Sequence, residues 1–312
     1  MQHYLVTGGA GFIGSNICRR LVQEKASVRV VDNLLTGKKS NLADILDSIE
    51  FIEGDMGEEK IARQCMEGID IVLHQGALPS VPLSVEKPAD THRHCVDATF
   101  TLLMAARDAK VKRFVYAASS SAYGDSPTLP KTESMLPAPL SPYAAAKLFG
   151  EYYCSVFSKV FGLETISLRY FNVFGPYQNP KSQYAAAIPA FVTSILNDRP
   201  LTIFGDGEQS RDFTYIDNVV EANLLAARAP QANGETINIA CGQRITLNEV
   251  VRLINQYLGK NVQPVYAPPR AGDVKHSLAD IQKARQLIGY QPVISFEKGL
   301  QKTIDWYRRN LA

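Results

Sequence analysis

The chain has 312 residues, of which 46% are hydrophobic and 21% are charged, a composition typical of a soluble globular protein with one large or two small domains. Its 33 Lys and Arg residues nearly balance its 31 Asp and Glu residues, which argues against a nucleic-acid-binding protein. No apolar run is long enough to span a membrane and no signal peptide is evident, so we expect a cytoplasmic protein that is not membrane-bound. The five scattered cysteines predict free thiols.

Short apolar runs alternate with amphipathic stretches through the first half of the chain. Strands are predicted at residues 4–7, 28–32, 51–55, 70–75, 113–119 and 164–171. Helices are predicted between several of them, at residues 12–24, 58–66, 91–109 and 142–161. Alternating strands and helices predict a doubly wound parallel sheet of the Rossmann type, covered by helices on both faces.

A glycine-rich turn at residues 8–14 follows the first strand and opens the first helix, with a glycine at every third position. Glycines there allow the backbone to approach a pyrophosphate, whose charge the amides at a helix N-terminus stabilise. Asp32 ends the second strand, where a carboxylate can accept hydrogen bonds from the adenosine ribose; this favours NAD over NADP. Asp55 and Met56 end the third strand and are expected to meet the adenine ring.

Pro and Gly become frequent from residue 172 onward, although strands and helices can still be predicted from the sequence pattern. Two strands that return to the main sheet are predicted at residues 213–216 and 236–240. Thr246 and Glu249 form a capping box that predicts the start of a helix. Two further helices are predicted at residues 277–288 and 296–310.

These patterns predict two domains. A Rossmann domain comprises residues 1–171, with residues 212–240 returning to it. Residues 172–211 and 241–312 form a smaller mixed α/β domain for the substrate. We expect the smaller domain to lie at the carboxyl edge of the sheet, because ligands bind there in such folds.

Tyr143 and Lys147 stand four residues apart in a predicted helix and therefore share one of its faces. A free tyrosine has a pKa of about 10, which a neighbouring ammonium lowers. The run Ser119-Ser120-Ser121 ends the preceding strand and can orient a substrate hydroxyl. A tyrosinate beside a nicotinamide ring predicts oxidation or reduction of an alcohol.

Four motifs together resemble the extended short-chain dehydrogenase/reductases, and more narrowly the nucleotide-sugar 4-epimerases. They are TGGAGFIG at residues 7–14, SSSAYG at 119–124, YAAAK at 143–147 and RYFNVFGP at 169–176. The resemblance implies that Tyr143 is the base and acid, that Lys147 lowers its pKa and anchors the ribose, and that Ser119 is the hydroxyl partner. It implies hydride removal from the sugar C4, a 4-keto intermediate and hydride return to the opposite face.

The same resemblance implies the remaining contacts of the site. Cofactor contacts are expected at Gly8, Gly11, Phe12, Ile13, Asp32, Asn33, Gly37, Asp55, Met56, Gln75, Ala77, Tyr143 and Lys147. Substrate contacts are expected at Ser80, Ser120, Ser121, Asn172, Ala187, Ile188, Thr202, Phe204, Arg211, Arg270, Asp273 and Ser277. Among these, Arg211 and Arg270 would clamp the diphosphate and Asp273 would meet the nucleoside ribose.

Residues at a few single positions help to distinguish this chain from related enzymes that catalyse other reactions. The nucleotide-sugar 4,6-dehydratases, which resemble this fold, carry an Asp-Glu pair where Ser121 and Ala122 stand here, so dehydration is disfavoured. UDP-glucuronate decarboxylases usually have a Glu at the position of Ala122, so decarboxylation is disfavoured as well. The family position of Ser277 carries a bulky tyrosine where a 2-acetamido group is excluded, so a serine favours UDP-GlcNAc and UDP-GalNAc, with UDP-glucose and UDP-galactose also accepted. A UDP-glucuronate 4-epimerase and a non-catalytic NAD(H)-binding regulator are the alternatives.

Two positions depart from the family pattern. Cys95 stands where the family usually has Asn, and Ala98 stands where it usually has Gly. His92, His94 and Cys95 are close in sequence, but the helix offers no further ligand, so no metal site is predicted. The resemblance also implies a homodimer through a four-helix interface, to which each subunit contributes helices 91–109 and 142–161.

Overall fold

The computed structural model describes residues 2–180, 186–230, 232–269 and 275–310. The strands are β1 His3–Thr7, β2 Ser27–Asp32, β3 Glu50–Glu53, β4 Ile71–His74, β5 Arg113–Ser119, β6 Glu164–Tyr170, β7 Val173–Phe174, β8 Leu201–Phe204, β9 Ser210–Arg211, β10 Thr214–Tyr215, β11 Glu235–Ile239, β12 Ile245–Thr246 and β13 Pro264–Ala267. The α-helices are α1 Phe12–Gln23, α2 Glu59–Met66, α3 Val81–Glu86, α4 Pro88–His92, α5 Ala98–Asp108, α6 Pro142–Phe161, α7 Ala187–Leu196, α8 Ile216–Arg228, α9 Leu247–Leu258, α10 Gln282–Ile288 and α11 Phe296–Asn310.

Seven strands form one parallel sheet in the order β11-β6-β5-β4-β1-β2-β3. The predicted Rossmann-type sheet is therefore confirmed. Its central strands are apolar runs buried on both faces, as parallel strands between two helix layers must be. The strand order reverses between β1 and β4. In folds of this kind, ligands bind at such a point, outside the carboxyl ends of the strands.

The strands that follow β6 divide between the main sheet and smaller sheets. The strand predicted at residues 236–240 is β11, which joins the main sheet beside β6. The strand predicted at residues 213–216 was assigned wrongly to that sheet, because β10 pairs with β7 in a separate two-stranded sheet. An apolar pattern indicates a strand but carries no information about its partner.

Two predicted helices differ from the structure. The helix predicted at residues 277–288 begins only at Gln282, because the preceding segment is extended and bridges to other segments at His276 and Ala279. The helix predicted at residues 91–109 is interrupted by a π-helical turn, Arg93–Asp97. The π turn shifts the helix register and places Cys95 in the interior, 1% exposed.

The elements after β7 form small sheets and helices beside the main sheet. β8 pairs with β13, and β9 pairs with β12. The predicted helix N-cap is present, since the Thr246 hydroxyl accepts a hydrogen bond from the Glu249 N–H at 3.1 Å, whereas the Glu249 carboxylate accepts from Arg252 instead of completing a capping box. Among the described residues, no helix is long and apolar enough to cross a membrane. All five cysteines are unpaired, as predicted.

Asp212 ties this region to the end of β11. Its fully buried carboxylate accepts hydrogen bonds from the backbone N–H groups of Cys241, Gly242 and Ala279 at 3.0 to 3.2 Å. Burial raises the pKa of Asp212 to about 6, against the lowering effect of these hydrogen bonds. One side chain thereby fixes three segments at the carboxyl edge of the sheet, where Asn172 and Ser277 also lie.

Candidate active site

The glycine-rich turn is packed too closely for side chains. Gly8 has a φ of +63°, and a Cβ there would lie 2.6 Å from the Cα of Gly76. A Cβ on Gly14 would lie 2.3 Å from the carbonyl oxygen of Gly8. α1 begins directly after Gly11, so its first amides face the turn. The result is a backbone cradle at the positive end of a helix, which suits a pyrophosphate.

Asp32 lies at the end of β2 beside this cradle. Its carboxylate accepts hydrogen bonds from the N–H groups of Ala10 (2.9 Å) and Leu34 (2.8 Å), and Gly37 leaves room against it. Burial raises the pKa of Asp32, and the two backbone hydrogen bonds lower it. Each carboxylate oxygen keeps a second acceptor site for a ribose hydroxyl.

The other predicted cofactor residues follow the strand ends. Asp55 accepts a hydrogen bond from the Gly57 N–H at 2.9 Å, and Met56 lies against Gly76. The exposed Asn33 accepts one from the Leu35 N–H at 3.1 Å. Phe12 and Ile13 open α1 with half-buried side chains, and Ala77 packs in a small cluster with Leu78 and Cys95.

Tyr143 and the serine run meet at the carboxyl edge of β5. Ser141 caps α6 through a hydrogen bond from the Ala144 N–H (3.1 Å), which places Tyr143 in the first turn. The Ser119 hydroxyl accepts hydrogen bonds from the N–H and the hydroxyl of Ser121 (3.2 and 2.8 Å). The Ser119 hydroxyl lies next to the phenol of Tyr143, and hydrogen bonding between them lowers the pKa of Tyr143. Ser119 and Tyr143 are therefore neighbours, and their predicted catalytic roles stay a prediction.

Lys147 lies one helical turn further, 4% exposed. Its ammonium donates a hydrogen bond to the carbonyl of Ala117 at 2.7 Å and lies 5.0 Å from the ring centroid of Tyr116. Burial lowers the pKa of Lys147, whereas burial raises the pKa of Tyr143. The Ser119 hydrogen bond lowers the pKa of Tyr143. Lys147 therefore contacts β5 close to the phenol of Tyr143. Its role in lowering the pKa of Tyr143 stays a prediction.

The predicted sugar-side residues Asn172 and Ser277 are in contact. Asn172 Nδ2 donates hydrogen bonds to the Ser277 hydroxyl and to the carbonyl of Asp212, both at 3.1 Å. The Ser277 hydroxyl also accepts one from the Asp212 N–H at 3.3 Å. Both side chains are half-buried.

The remaining substrate candidates occupy different surroundings. Arg211 is half-buried and donates hydrogen bonds to the carbonyls of Ser210 (3.1 Å) and Lys275 (3.0 Å). On β8, Thr202 is exposed and Phe204 half-buried. Ile188 is 1% exposed and belongs to the hydrophobic core, while Ala187 is half-buried. Ser80 caps α3, and Ser120 and Ser121 are half-buried. Arg270 and Asp273 lie outside the described residues.

A buried polar network behind the site was not predicted. The Thr7 hydroxyl accepts a hydrogen bond from the Gly76 N–H (3.1 Å) and lies 2.6 Å from His74 Nδ1. His74 Nε2 lies 2.9 Å from the Thr99 hydroxyl, which donates to the Cys95 carbonyl at 2.6 Å. These directions assign a neutral imidazole with hydrogen on Nε2. The network joins the glycine-rich turn to the π turn. The one feature of the sequence that could have indicated this network is the histidine at the end of the apolar strand β4.

We expect His74 to remain neutral, with hydrogen on Nε2, from pH 8 down to about pH 4. Burial and the charge of Lys147 lower its pKa to about 3. In the unfolded chain this group takes up a proton near its ordinary value of about 6.5. Its contribution to stability is therefore complete above pH 6.5 and is lost as the pH falls towards 3. ¹⁵N NMR of the imidazole measures both points, and a protonation midpoint near 6.5 would contradict the assigned network.

The chain is similar in sequence and structure to proteins of known family. The profile of the "NAD dependent epimerase/dehydratase family" matches residues 4–240. The chain belongs to this family. It is an enzyme of the epimerase type and its cofactor is NAD.

Three relatives show the range of the family near this chain. A UDP-N-acetylglucosamine 4-epimerase of Methanobrevibacter ruminantium, solved with UDP-N-acetylmuramic acid, is 38% identical with a TM-score of 0.95, and 99% of each chain is covered. A UDP-glucose 4-epimerase of Thermotoga maritima, solved with UDP-glucose, is 36% identical with a TM-score of 0.95 and 100% coverage of both chains. A UDP-glucuronate 4-epimerase of Thermodesulfobacterium geofontis is 34% identical over 100% of this chain and 98% of its own.

The residues of this epimerase fit NAD. The cradle at Gly8, Gly14 and Gly76 lacks the space for Cβ atoms, which leaves backbone amides to face phosphate oxygens. The Asp32 carboxylate retains acceptor sites, and its negative charge would repel a 2′-phosphate. Gln75 is held beside the cradle, because its amide nitrogen donates to Asn223 (3.0 Å) and its oxygen accepts from Tyr170 (3.2 Å).

Gly14→Ala is expected to lower the NAD content of the purified epimerase far more than Gly11→Ala does. A Cβ on Gly14 would meet the backbone of Gly8 and Gly9 at 2.3 to 2.9 Å, so the turn itself must shift. A Cβ on Gly11 meets only the Gly8 carbonyl oxygen, at 3.1 Å. Equal NAD content in the two variants, measured after denaturation, would show that the tight packing is not needed for binding.

Proposed function

We propose that the enzyme catalyses the NAD-dependent 4-epimerisation of a UDP-hexose, with UDP-GlcNAc and UDP-GalNAc as its main substrates and UDP-glucose and UDP-galactose also accepted. The observation that carries the proposal is that Ser119 adjoins the phenol of Tyr143 at the same edge of the sheet as the glycine cradle. An acid-base tyrosine at that place suits removal and return of a proton at a secondary alcohol.

The residues divide the work as follows. Bound NAD supplies the hydride acceptor and donor for C4 of the sugar. Tyr143 takes the proton of the 4-hydroxyl and returns it after the sugar has turned, and Ser119 orients that oxygen through a hydrogen bond. Lys147 adds a positive charge one helical turn from Tyr143 in a nearly dry environment, where charge acts more strongly than in water. Arg211, with Arg270, binds the diphosphate.

The size of the residue at 277 supports the choice of an N-acetyl sugar. The Ser277 side chain is small and hydrogen-bonded to Asn172, so it takes up less volume on the sugar side of the site than a tyrosine would. The Methanobrevibacter enzyme that resembles this chain is a UDP-N-acetylglucosamine 4-epimerase. The relative of Thermodesulfobacterium acts on UDP-glucuronate, which keeps a UDP-glucuronate 4-epimerase as the second candidate.

The test is to incubate the purified enzyme, without added NAD, with UDP-GlcNAc, UDP-glucose and UDP-glucuronate in separate reactions. The products are resolved by proton NMR, which distinguishes the two configurations at C4. Formation of UDP-GalNAc at the highest kcat/KM supports the proposal. Turnover of UDP-glucose or UDP-glucuronate alone would retain the reaction type and reject the N-acetyl assignment.

We also propose that the enzyme is a homodimer joined through α5 and α6. Four apolar side chains on α6 are exposed by 41 to 67%, namely Phe149, Tyr152, Val156 and Val160. Their spacing of three or four residues places them on one face of the helix. An apolar stripe of this kind is typical of a helix that packs against a partner.

Val156→Asp is expected to convert the enzyme from a dimer to a monomer, because the carboxylate would be buried without a partner. Val265→Asp is the matched control, since Val265 is exposed to a similar extent (55% against 46% for Val156) but lies on β13. Light scattering after size-exclusion chromatography measures the mass. A monomeric wild-type enzyme at micromolar concentration would contradict the proposal.

A further inference from the structure

Glu151 lies on the same face of α6 as the two catalytic residues. Tyr143, Lys147 and Glu151 follow one another at intervals of four residues, so each is one turn from the next. Glu151 is 4% exposed, and the reaction proposed above gives it no role. A buried carboxylate at this place needs a partner, since an unpaired buried charge is costly.

That partner is Arg169, 4% exposed on β6. Its Nε donates to one carboxylate oxygen of Glu151 at 2.9 Å, and a terminal nitrogen donates to the other at 2.7 Å. Because both oxygens accept a hydrogen bond, the carboxylate is ionised. Burial raises the pKa of Glu151, and the contact with Arg169 and the charge of Lys147 lower it.

Arg169 also reaches the segment that carries Ser119. Its guanidinium carbon lies 4.6 Å from the ring centroid of Tyr123, which ends the short 3-10 helix Ser120–Tyr123 directly after Ser119. The Tyr123 hydroxyl in turn donates to Asn238 on β11 at 2.7 Å. Arg169 therefore contacts both structures that hold the catalytic groups, which are α6 and the serine turn, defined here as residues 119–123.

Stability alone is a weak explanation for such a pair. Replacing a buried ion pair with apolar residues of similar volume is often neutral or stabilising. In the described part of the chain, moreover, the second terminal nitrogen of Arg169 is buried without a hydrogen-bond partner, which costs free energy. The pair is better explained by what it places and by the charge it supplies.

We propose that Glu151 and Arg169 are positioning residues, whose buried ion pair sets the distance between the serine turn and Tyr143 and supplies the negative charge that balances the Lys147 ammonium. The inference rests on the proposed function, since it concerns the same catalytic groups. A displacement of about 1 Å in such a site can cost on the order of 100-fold in rate.

Titratable groups from four elements surround the Lys147 ammonium. These groups are Tyr116 on β5, His74 on β4, Cys95 in the π turn, and Tyr143, Glu151 and Cys154 on α6. His74 is neutral, and burial raises the pKa of the thiols of Cys95 and Cys154, which are therefore uncharged near neutral pH. Glu151 is then the one ionised carboxylate among these groups. Removing its charge lowers the pKa of Lys147, which is already lowered by burial.

The test uses the double variant Glu151→Gln with Arg169→Gln, which keeps the size of residue 151, shortens residue 169 and removes both charges. We expect kcat to fall at least tenfold with KM changed less than twofold, and the basic limb of the kcat–pH profile to move to lower pH. The matched control is Arg113→Gln with Glu164→Gln, an ion pair at 2.6 Å between the amino ends of the neighbouring strands β5 and β6. The control is expected to change Tm only.

A second variant, Glu151→Leu with Arg169→Met, restores apolar packing if the first does not fold. A folded variant of either kind with the kcat and pH profile of the wild type would overturn the inference. A readout independent of the sugar is the ultraviolet titration of Tyr143 in the NAD-loaded enzyme, obtained as the difference from Tyr143→Phe. Its midpoint is expected to rise when the pair is removed, and an unchanged midpoint contradicts the inference even if no UDP-sugar is turned over.

Discussion

Tyr143→Phe is expected to lower kcat by about 10²- to 10⁴-fold, the usual contribution of a positioned acid-base group. The substitution removes one oxygen and leaves the packing of the ring unchanged, so Tm and NAD content should stay close to those of the wild type. Burial raises the pKa of Tyr143. The phenolate fraction, and with it kcat, should therefore increase with pH in the wild-type enzyme below this pKa.

Tyr152→Phe is the matched control for this substitution. Tyr152 lies on the same helix, is 57% exposed and faces away from Ser119. Its variant should keep the wild-type kcat. A Tyr143→Phe enzyme that retains more than about a tenth of the wild-type kcat would remove Tyr143 from its role as the base.

Ser277→Tyr is expected to abolish most turnover of UDP-GlcNAc while UDP-glucose is still epimerised. The tyrosine ring would fill the space beside Asn172 and displace the hydrogen bonds that the Ser277 hydroxyl accepts at 3.1 and 3.3 Å. Overpacking typically costs 1–3 kcal/mol, so kcat/KM for the N-acetyl sugar should fall by about 10- to 100-fold. Separate kinetic assays with the two UDP-sugars measure this ratio.

Ser277→Ala separates the effect of bulk from that of the hydroxyl. Alanine removes both hydrogen bonds but keeps the space open, so the preference for UDP-GlcNAc should persist. An equal loss of both substrates in Ser277→Tyr would indicate that residue 277 supports the fold near Asp212 rather than selecting the sugar.

The sheet and the catalytic helix could be predicted because their signals are local. Alternating apolar runs and helical patterns specify a parallel sheet, and the spacing of Tyr143 and Lys147 specifies a shared helix face. Ser141 and Pro142 predicted the start of α6 correctly, because capping depends on neighbouring residues only.

Contacts between segments that are distant in sequence could not be predicted from local sequence patterns. The acceptor of the Lys147 ammonium is the carbonyl of Ala117, which becomes adjacent only when α6 packs on β5. Similarly, the His74 imidazole lies within hydrogen-bond distance of the Thr7 and Thr99 hydroxyls, which are 67 and 25 residues away in the sequence. The π turn at Arg93–Asp97 escaped prediction because an apolar periodicity does not reveal a one-residue change of helical register.

The central claim is that the hydrogen at C4 of the sugar leaves and returns within one active site. The direct measurement uses UDP-GlcNAc carrying deuterium at C4, incubated with the enzyme in ordinary water and analysed by NMR and mass spectrometry. The account predicts UDP-GalNAc that retains its deuterium at C4, because a hydride does not exchange with solvent. Product with hydrogen from water at C4 would show that this carbon is deprotonated instead, and would contradict the account.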